Sequence, residues 1–215
     1  ICKLIRNDSV EEFIAYINKN NYSINSIIKS SIFETNSFLI KKQIESDKSN
    51  NNNKSIFGFG ARNSSQKDKD DKLTLIKYAT FFGSIQIFKY LQINGVELTP
   101  QLWYFAIHGK NAEIIHLLEE NHIEFENLYE ECFEEATKCH HNEIANYFLN
   151  NFLQNNEKSA NDSFVQGLKY YNFSLLKNEL INENSLFYMC QYDYYYFACV
   201  LLNYKNIDIN KIFIV

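Results

Sequence analysis

The chain has 215 residues, a formal net charge of −5 and 46% hydrophobic residues, with one Pro and 6 Gly against 18 Phe and 15 Tyr. That apolar fraction excludes a chain disordered throughout, and the length suffices for a substantial core in one domain or one elongated array. The acidic balance offers no footing for a phosphate backbone or an anionic membrane surface, so neither nucleic acid nor membrane is expected as a partner.

Few turn-formers and many large side chains point to helices joined by short loops rather than to a many-stranded fold. No apolar run of roughly 18 residues occurs, so no transmembrane helix is expected. The chain opens at Ile1 inside a helical pattern, shows no charged-then-apolar leader, and stops at KIFIV. A fragment of a longer chain is therefore expected. Cys2, Cys132, Cys139, Cys190 and Cys199 lack close pairing motifs and read as reduced thiols of a cytoplasmic protein.

Along the chain, Ile5, Phe13 and Ile17 mark a first degenerate helical unit, which with its connector fills residues 1–43. In that connector, INSIIKSSIFETNSFLIKKQI is expected to form one helix followed by an extended piece. Residues 44–72, IESDKSNNNNKSIFGFGARNSSQKDKDDK, are polar and low in complexity. They cannot bury enough apolar area to offset their ordering entropy and are expected to be a disordered insertion. The apolar island SIFGFGAR reads as part of the spacer, with a short docking motif as the alternative.

Residues 73–215 carry one template several times. Ala79 is followed eight and twelve positions on by Ile87 and Leu91. Ala106 is followed in the same way by Ile114 and Leu118, Ala136 by Ile144 and Phe148, Leu168 by Leu176 and Leu180, and Cys190 by Ala198 and Leu202. Between anchor and pair stands a polar or Gly break: Gly83-Ser84, Lys110-Asn111, His140-His141-Asn142, Asn172 or Asp193. The template predicts a short helix, a turn that stops it and caps the next, and a second helix with one apolar face. Neither helix buries that face alone, so the units are expected to stack.

The stretch TLIKYATFFGSIQIFKYLQINGVELT makes the pattern specific. Thr74, Ile76, Ala79, Gly83, Ile87, Leu91 and Gly95 stand where the ankyrin repeat has its signature residues, although Leu75 replaces the usual Pro and Lys77 the usual His. NGVELT stands where that family has GADVN, and NIDIN at Asn206–Asn210 echoes it. The chain thus resembles a degenerate ankyrin-repeat protein of the divergent kind common in some protists. The resemblance implies an all-α, ankyrin-like helix-turn-helix solenoid of about five to six degenerate repeats with trimmed hairpin fingers. It also implies a non-enzymatic scaffold or adaptor that binds a protein on its concave surface. The alternative is a regulatory or targeting segment of a larger enzyme whose catalytic part lies elsewhere.

Candidate chemistry is weighed against this. KCHHNE (Lys138–Glu143), with Cys132, Glu135 and His116 as further donors, suggests a metal site. Adjacent residues on a helix point about 100° apart, however, and the His pair falls at a break, so no metal is expected. Cys139 with His140 lacks an orienting group for a nucleophile, and Gly58, Gly60 and Gly83 lack the rest of a phosphate loop. Gly83 is explained by a left-handed helix end. No catalytic group and no cofactor are expected. The acidic run Glu119, Glu120, Glu124, Glu126, Glu130, Glu131, Glu134 and Glu135 reads as a solvated face, with a basic partner as its functional reading. The run YDYYYF near the end reads as core and cap packing. Trp103 falls on the core side of its helix.

On the ankyrin template, the residues one before and three after each anchor line the concave surface. They are Tyr78 and Phe82, Phe105 and Gly109, and Glu135 and Cys139. Tyr78, Phe82, Phe105 and Glu135 are the expected protein-binding residues of a monomer whose partner is an unidentified protein.

Overall fold

A computed structural model describes residues 1–29, 34–49, 72–123, 129–152, 157–176 and 183–205. Among them the structure is all helical, with no strand and one isolated antiparallel bridge, Ile27 to Thr74. The chain divides into two compact units, Ile1–Glu124 and Phe125–Val215.

The first unit holds α1 (Cys2–Arg6), α2 (Val10–Lys19), α3 (Ser37–Ser49), α4 (Leu75–Phe81), α5 (Ile85–Ile93), α6 (Leu102–Gly109) and α7 (Ala112–Glu120). The second holds α8 (Tyr129–Lys138), α9 (Asn142–Phe152), α10 (Glu157–Lys169), a 3₁₀ turn (Phe173–Leu175), α11 (Glu183–Gln191) and α12 (Tyr195–Lys205).

Apart from α3, the helices come as hairpins, and each hairpin turns through one left-handed residue. These are Asp8 (φ 52°), Gly83 (66°), Lys110 (51°), His140 (56°), Tyr171 (56°) and Asp193 (65°). Such a residue points its own amide and the next one back at the helix's last carbonyls, which would otherwise stay unpaired. At Gly83 the bonds are Gly83 N to Thr80 O (3.1 Å) and Ser84 N to Ala79 O (2.9 Å). The same pair recurs at Asp8, His140, Tyr171 and Asp193, while Lys110 makes the single bond to Ala106 O. The second helices α2, α5 and α7 end in the same way, at Asn21, Gly95 and His122.

At four of these turns the residue after the left-handed one then reaches the hairpin before it. In the first unit Ser84 Oγ donates to Ile5 O (2.6 Å) and Asn111 Nδ2 to Gly83 O (3.0 Å). In the second, Asn172 Nδ2 donates to Thr137 O (3.0 Å) and the Tyr194 hydroxyl to Leu168 O (2.9 Å). Asn111 also caps α7 through its Oδ1, which accepts from Glu113 N and Ile114 N. Ser84 spends its hydroxyl on Ile5. The first amides of α5 are served instead by Asp8, whose carboxylate accepts from Gln86 N (2.9 Å) and Ile87 N (3.0 Å). Four of the breaks lie where the sequence places them. In the units of Ile5, Leu168 and Cys190 the anchor sits one residue earlier, at Leu4, Gly167 and Met189, and Cys190 is exposed.

Every residue of α4 is buried, the environment of a helix apolar on all sides. Its start is capped although Leu75 and Lys77 replace the Pro and His of the signature: Thr74 Oγ1 accepts from Lys77 N (3.5 Å). Buried Lys77 resolves its charge by donating to Lys72 O (3.1 Å). Trp103 is core, as expected, with Nε1 donating to Ile123 O (3.3 Å). In the second unit Phe164, Leu168, Leu186, Met189, Tyr194, Ala198 and Leu201 form a core.

The connector runs in the reverse of the expected order. The extended piece comes first, at Ile27 and Ile28, and the helix α3 follows. Ile28 N donates to Leu73 O (2.8 Å) and Leu75 N to Ser26 O (3.3 Å), closing the neck of a long excursion. α3 runs to Ser49, inside the segment expected to be disordered; residues 50–71 of that segment lie outside the described residues.

Two predictions follow from the turns and the links. A Cβ on Gly109 would overlap the Thr80 carbonyl, and one on Gly83 would stand 2.7 Å from Gly109 O. Gly109→Ala should therefore cost at least about 2 kcal/mol, whereas Lys110→Gly, which relieves an exposed left-handed residue, should gain about 0.5 kcal/mol; urea unfolding of the two variants checks both signs.

Glu134 of α8 accepts from Lys169 Nζ (2.6 Å) and the Tyr170 hydroxyl beyond α10. Burial pushes its carboxyl pKa up, but those two hydrogen bonds outweigh burial and hold it below the usual value. A depressed folded pKa gives stability that is present above the unfolded value and lost as pH falls through the folded one. Glu134→Gln should thus flatten the loss of melting temperature below about pH 4.5; an unchanged acid limb would contradict the assignment.

Candidate functional site

Tyr78 and Phe82 lie one turn apart on and just after α4, and Phe105 on the neighbouring α6. Their rings share a side of the first unit but do not offer it to solvent. Tyr78 is 1% and Phe105 3% exposed, so the expectation that both face a partner is corrected. Phe82 is half-buried. What covers them is the connector.

Glu34, itself buried, stands over Tyr78. Arg6 Nη2 donates to Glu34 Oε2 at 2.8 Å and Arg6 Nε to the Tyr78 hydroxyl at 2.7 Å. That hydroxyl donates in turn to Glu34 Oε2 at 3.2 Å. The guanidinium lies 5.0 Å from the centre of the Phe82 ring, which packs on Tyr78 at 4.8 Å. The triad is closed: the cation gives two hydrogen bonds, and the carboxylate collects two within the triad and a third from Asn36 N (3.1 Å). Burial pushes the Tyr78 phenol up, with the Arg6 hydrogen bond opposing, so the hydroxyl stays protonated and keeps its donor role. Burial pulls Arg6 down, but Tyr78 and Glu34 overcome it and hold the guanidinium charged.

Four residues after Glu34, Phe38 enters the aromatic neighbourhood of α4 and α6. Its ring stacks on Phe81 (5.7 Å, 12°), meets Phe105 edge-on (5.4 Å) and lies 4.2 Å from the His108 ring. Such pairs add to plain burial. Leu39 is fully buried beside it and Gln43 nearly so. α3 therefore lies along the face that the ankyrin template assigns to a partner.

Glu135 belongs to the second unit, on α8. It is half-buried, pairs with Lys138 (3.2 Å) and accepts from Cys139 Sγ (3.7 Å). Other parts of the acidic run are also engaged: Glu119 and Glu120 flank His116, and Glu134 holds Lys169. Glu124 and Glu126 lie outside the described residues. Among the metal and nucleophile candidates, Cys132 is fully buried and its thiol is pushed up by burial and then by Glu131 and Glu135, which leaves a protonated, inert sulfur. His140 sits exposed in the left-handed turn, away from that core.

YDYYYF divides its labour. Tyr194 is buried and bonded, as packing requires, but Tyr195 and Tyr196 are 76% and 77% exposed and Phe197 is exposed beside them. Tyr171, Phe173 and Phe197 ring Tyr194 at 5.5, 6.0 and 6.1 Å. The second unit thus carries an exposed aromatic cluster of Tyr171, Phe173 and Phe197 packed about one buried tyrosine, with Tyr195 and Tyr196 exposed on the same helix as Phe197.

Comparison with family models, with curated proteins and with solved structures finds no match for this chain.

Removing Arg6 leaves Glu34 buried without its cation. Arg6→Met should lower unfolding free energy by about 2 kcal/mol, and Arg6→Met with Glu34→Leu should recover part of it. Urea unfolding of the cycle with Tyr78→Phe measures the coupling, and strict additivity would break the triad assignment.

Proposed function

We propose that this chain is a non-enzymatic protein-interaction module, an ankyrin-like array of degenerate hairpin repeats that works by surface complementarity on a rigid scaffold. The recurring hairpin with its left-handed turn and its hydrogen bond to the hairpin before supports the array. The observation that carries the binding reading is the exposed aromatic surface of the second unit. Tyr171, Phe173 and Phe197 hold exposed rings around the core residue Tyr194, and Tyr195 and Tyr196 add two more exposed rings on α12. Folding gains nothing from that exposure, whereas burial of such rings against a partner is a strong source of affinity. The acidic run supports a basic partner less well, because Glu119, Glu120, Glu134 and Glu135 already have partners inside the chain.

No helix among the described residues is long and apolar enough to cross a membrane, and the proposed partner is a protein. Affinity capture with mass spectrometry should recover a protein with the wild-type chain. Tyr195→Ser, Tyr196→Ser and Phe197→Ser together should lose it at nearly unchanged melting temperature. Equal capture by both chains, or none by the wild type, would count against the reading.

A further inference from the structure

The first unit shows a polypeptide segment already lying on the face of the first helices. Residues 34–43 fill it with two kinds of contact. Glu34 gives its carboxylate to Arg6 and Tyr78. Phe38, four residues on, places its ring among Phe81, Phe105 and His108. Glu34 lies in the non-helical lead-in before α3, where its Oε1 also accepts from Asn36 N (3.1 Å), and Phe38 lies in the first turn of α3.

The way this segment is tethered sets it apart from the hairpins. Its excursion leaves and rejoins the unit at one neck, the Ile28–Leu73 and Ser26–Leu75 hydrogen bonds with the Ile27–Thr74 bridge. The neck uses backbone atoms outside residues 34–43. It can stay closed while the segment lifts. Asp8, Ser84 and Asn111 join the hairpins of this unit to one another without involving the segment. The ion pair holding the segment is open on one side, since the Arg6 side chain is 41% exposed while that of Glu34 is 5% exposed. An exposed guanidinium with a carboxylate seated on its inner face is an exchangeable site for another carboxylate.

Resting on the interaction reading above, we infer that the α4–α6 face together with Arg6 is a peptide groove that residues 34–43 occupy in cis as an autoinhibitory strap. The partner it admits is a peptide with a carboxylate four residues ahead of an aromatic ring, the carboxylate just before a helix and the ring in its first turn. Arg6 takes the carboxylate. The slot between Phe81, Phe105 and His108 takes the ring. Binding in trans requires the strap to leave.

The test uses the full chain and a fluorescent peptide copying residues 34–43, ETNSFLIKKQ. In the Glu34→Gln, Phe38→Ala chain the strap loses the Glu34 charge and the Phe38 ring while keeping Leu39 and Gln43, and the peptide should bind at least tenfold more tightly than to wild type by fluorescence anisotropy. A peptide with its Phe replaced by Ala should not bind. Hydrogen exchange on the wild-type chain gives an arm free of mutation: the amides of Ser37–Gln43 should exchange at least tenfold faster than those of α4 and α6. Unimproved peptide binding by a folded variant overturns the strap. So does a double variant that fails to fold, or strap amides as protected as α4. Any of these with the second-unit capture intact leaves the module reading standing, because that capture depends on Tyr195, Tyr196 and Phe197 alone.

Discussion

A single left-handed residue at the end of a short helix decides where the following side chain goes, and most of what holds each unit together depends on that placement. The turn costs about 1 kcal/mol at a non-Gly residue, and it is accepted at Asp8, Lys110, His140, Tyr171 and Asp193. In exchange the residue's own amide is satisfied, and after Gly83, Lys110, Tyr171 and Asp193 the next side chain is aimed at the preceding hairpin. A hydroxyl, an amide and a phenol all meet the requirement: Ser84, Asn111, Asn172 and Tyr194 differ in length but each donates to a backbone carbonyl. A buried carbonyl needs a donor more than it needs a particular residue type, so the hairpin recurs while the sequence drifts.

The close approach at Gly83 and Gly109 is the strict part of the same arrangement. There the backbones of two hairpins touch, and no side chain fits between them. Elsewhere the distance is set by the reaching side chain, which is why Tyr194 can do from farther off what Asn111 does close by.

Local features were legible in the residues. The breaks at Gly83, Lys110 and His140 and the core placement of Trp103 all follow from nearest neighbours along the chain. The anchors at Ile5, Leu168 and Cys190 slip by one because each has a small or apolar neighbour just before it, Leu4, Gly167 or Met189, that satisfies the spacing rule in another register, and only the turn decides between them. Tyr78 and Phe105 were assigned to an open surface because the residues that cover them, Glu34 and Phe38, are remote in sequence and sit in a connector with no repeat signal. Pairing of Glu34 with Arg6 leaves no periodic trace; the only local hint is an acid four residues ahead of an aromatic in ETNSF. Tyr194 could not be told from Tyr195 and Tyr196 by residue type. The left-handed turn at Asp193 separates them by fixing which ring points inward.

The neck beneath the excursion has a kinetic meaning as well as an architectural one. From Lys29 to Glu34 the chain is only a few residues long, so the strap never diffuses away from Arg6 and Tyr78. Short tethers hold a segment at an effective concentration on the order of millimolar. A free peptide of equal chemistry would therefore be outcompeted at micromolar levels however well it matched the groove. Only a ligand with contacts beyond the strap's own, or an event that disables the strap, would gain entry, and the neck thereby acts as a threshold on partner concentration.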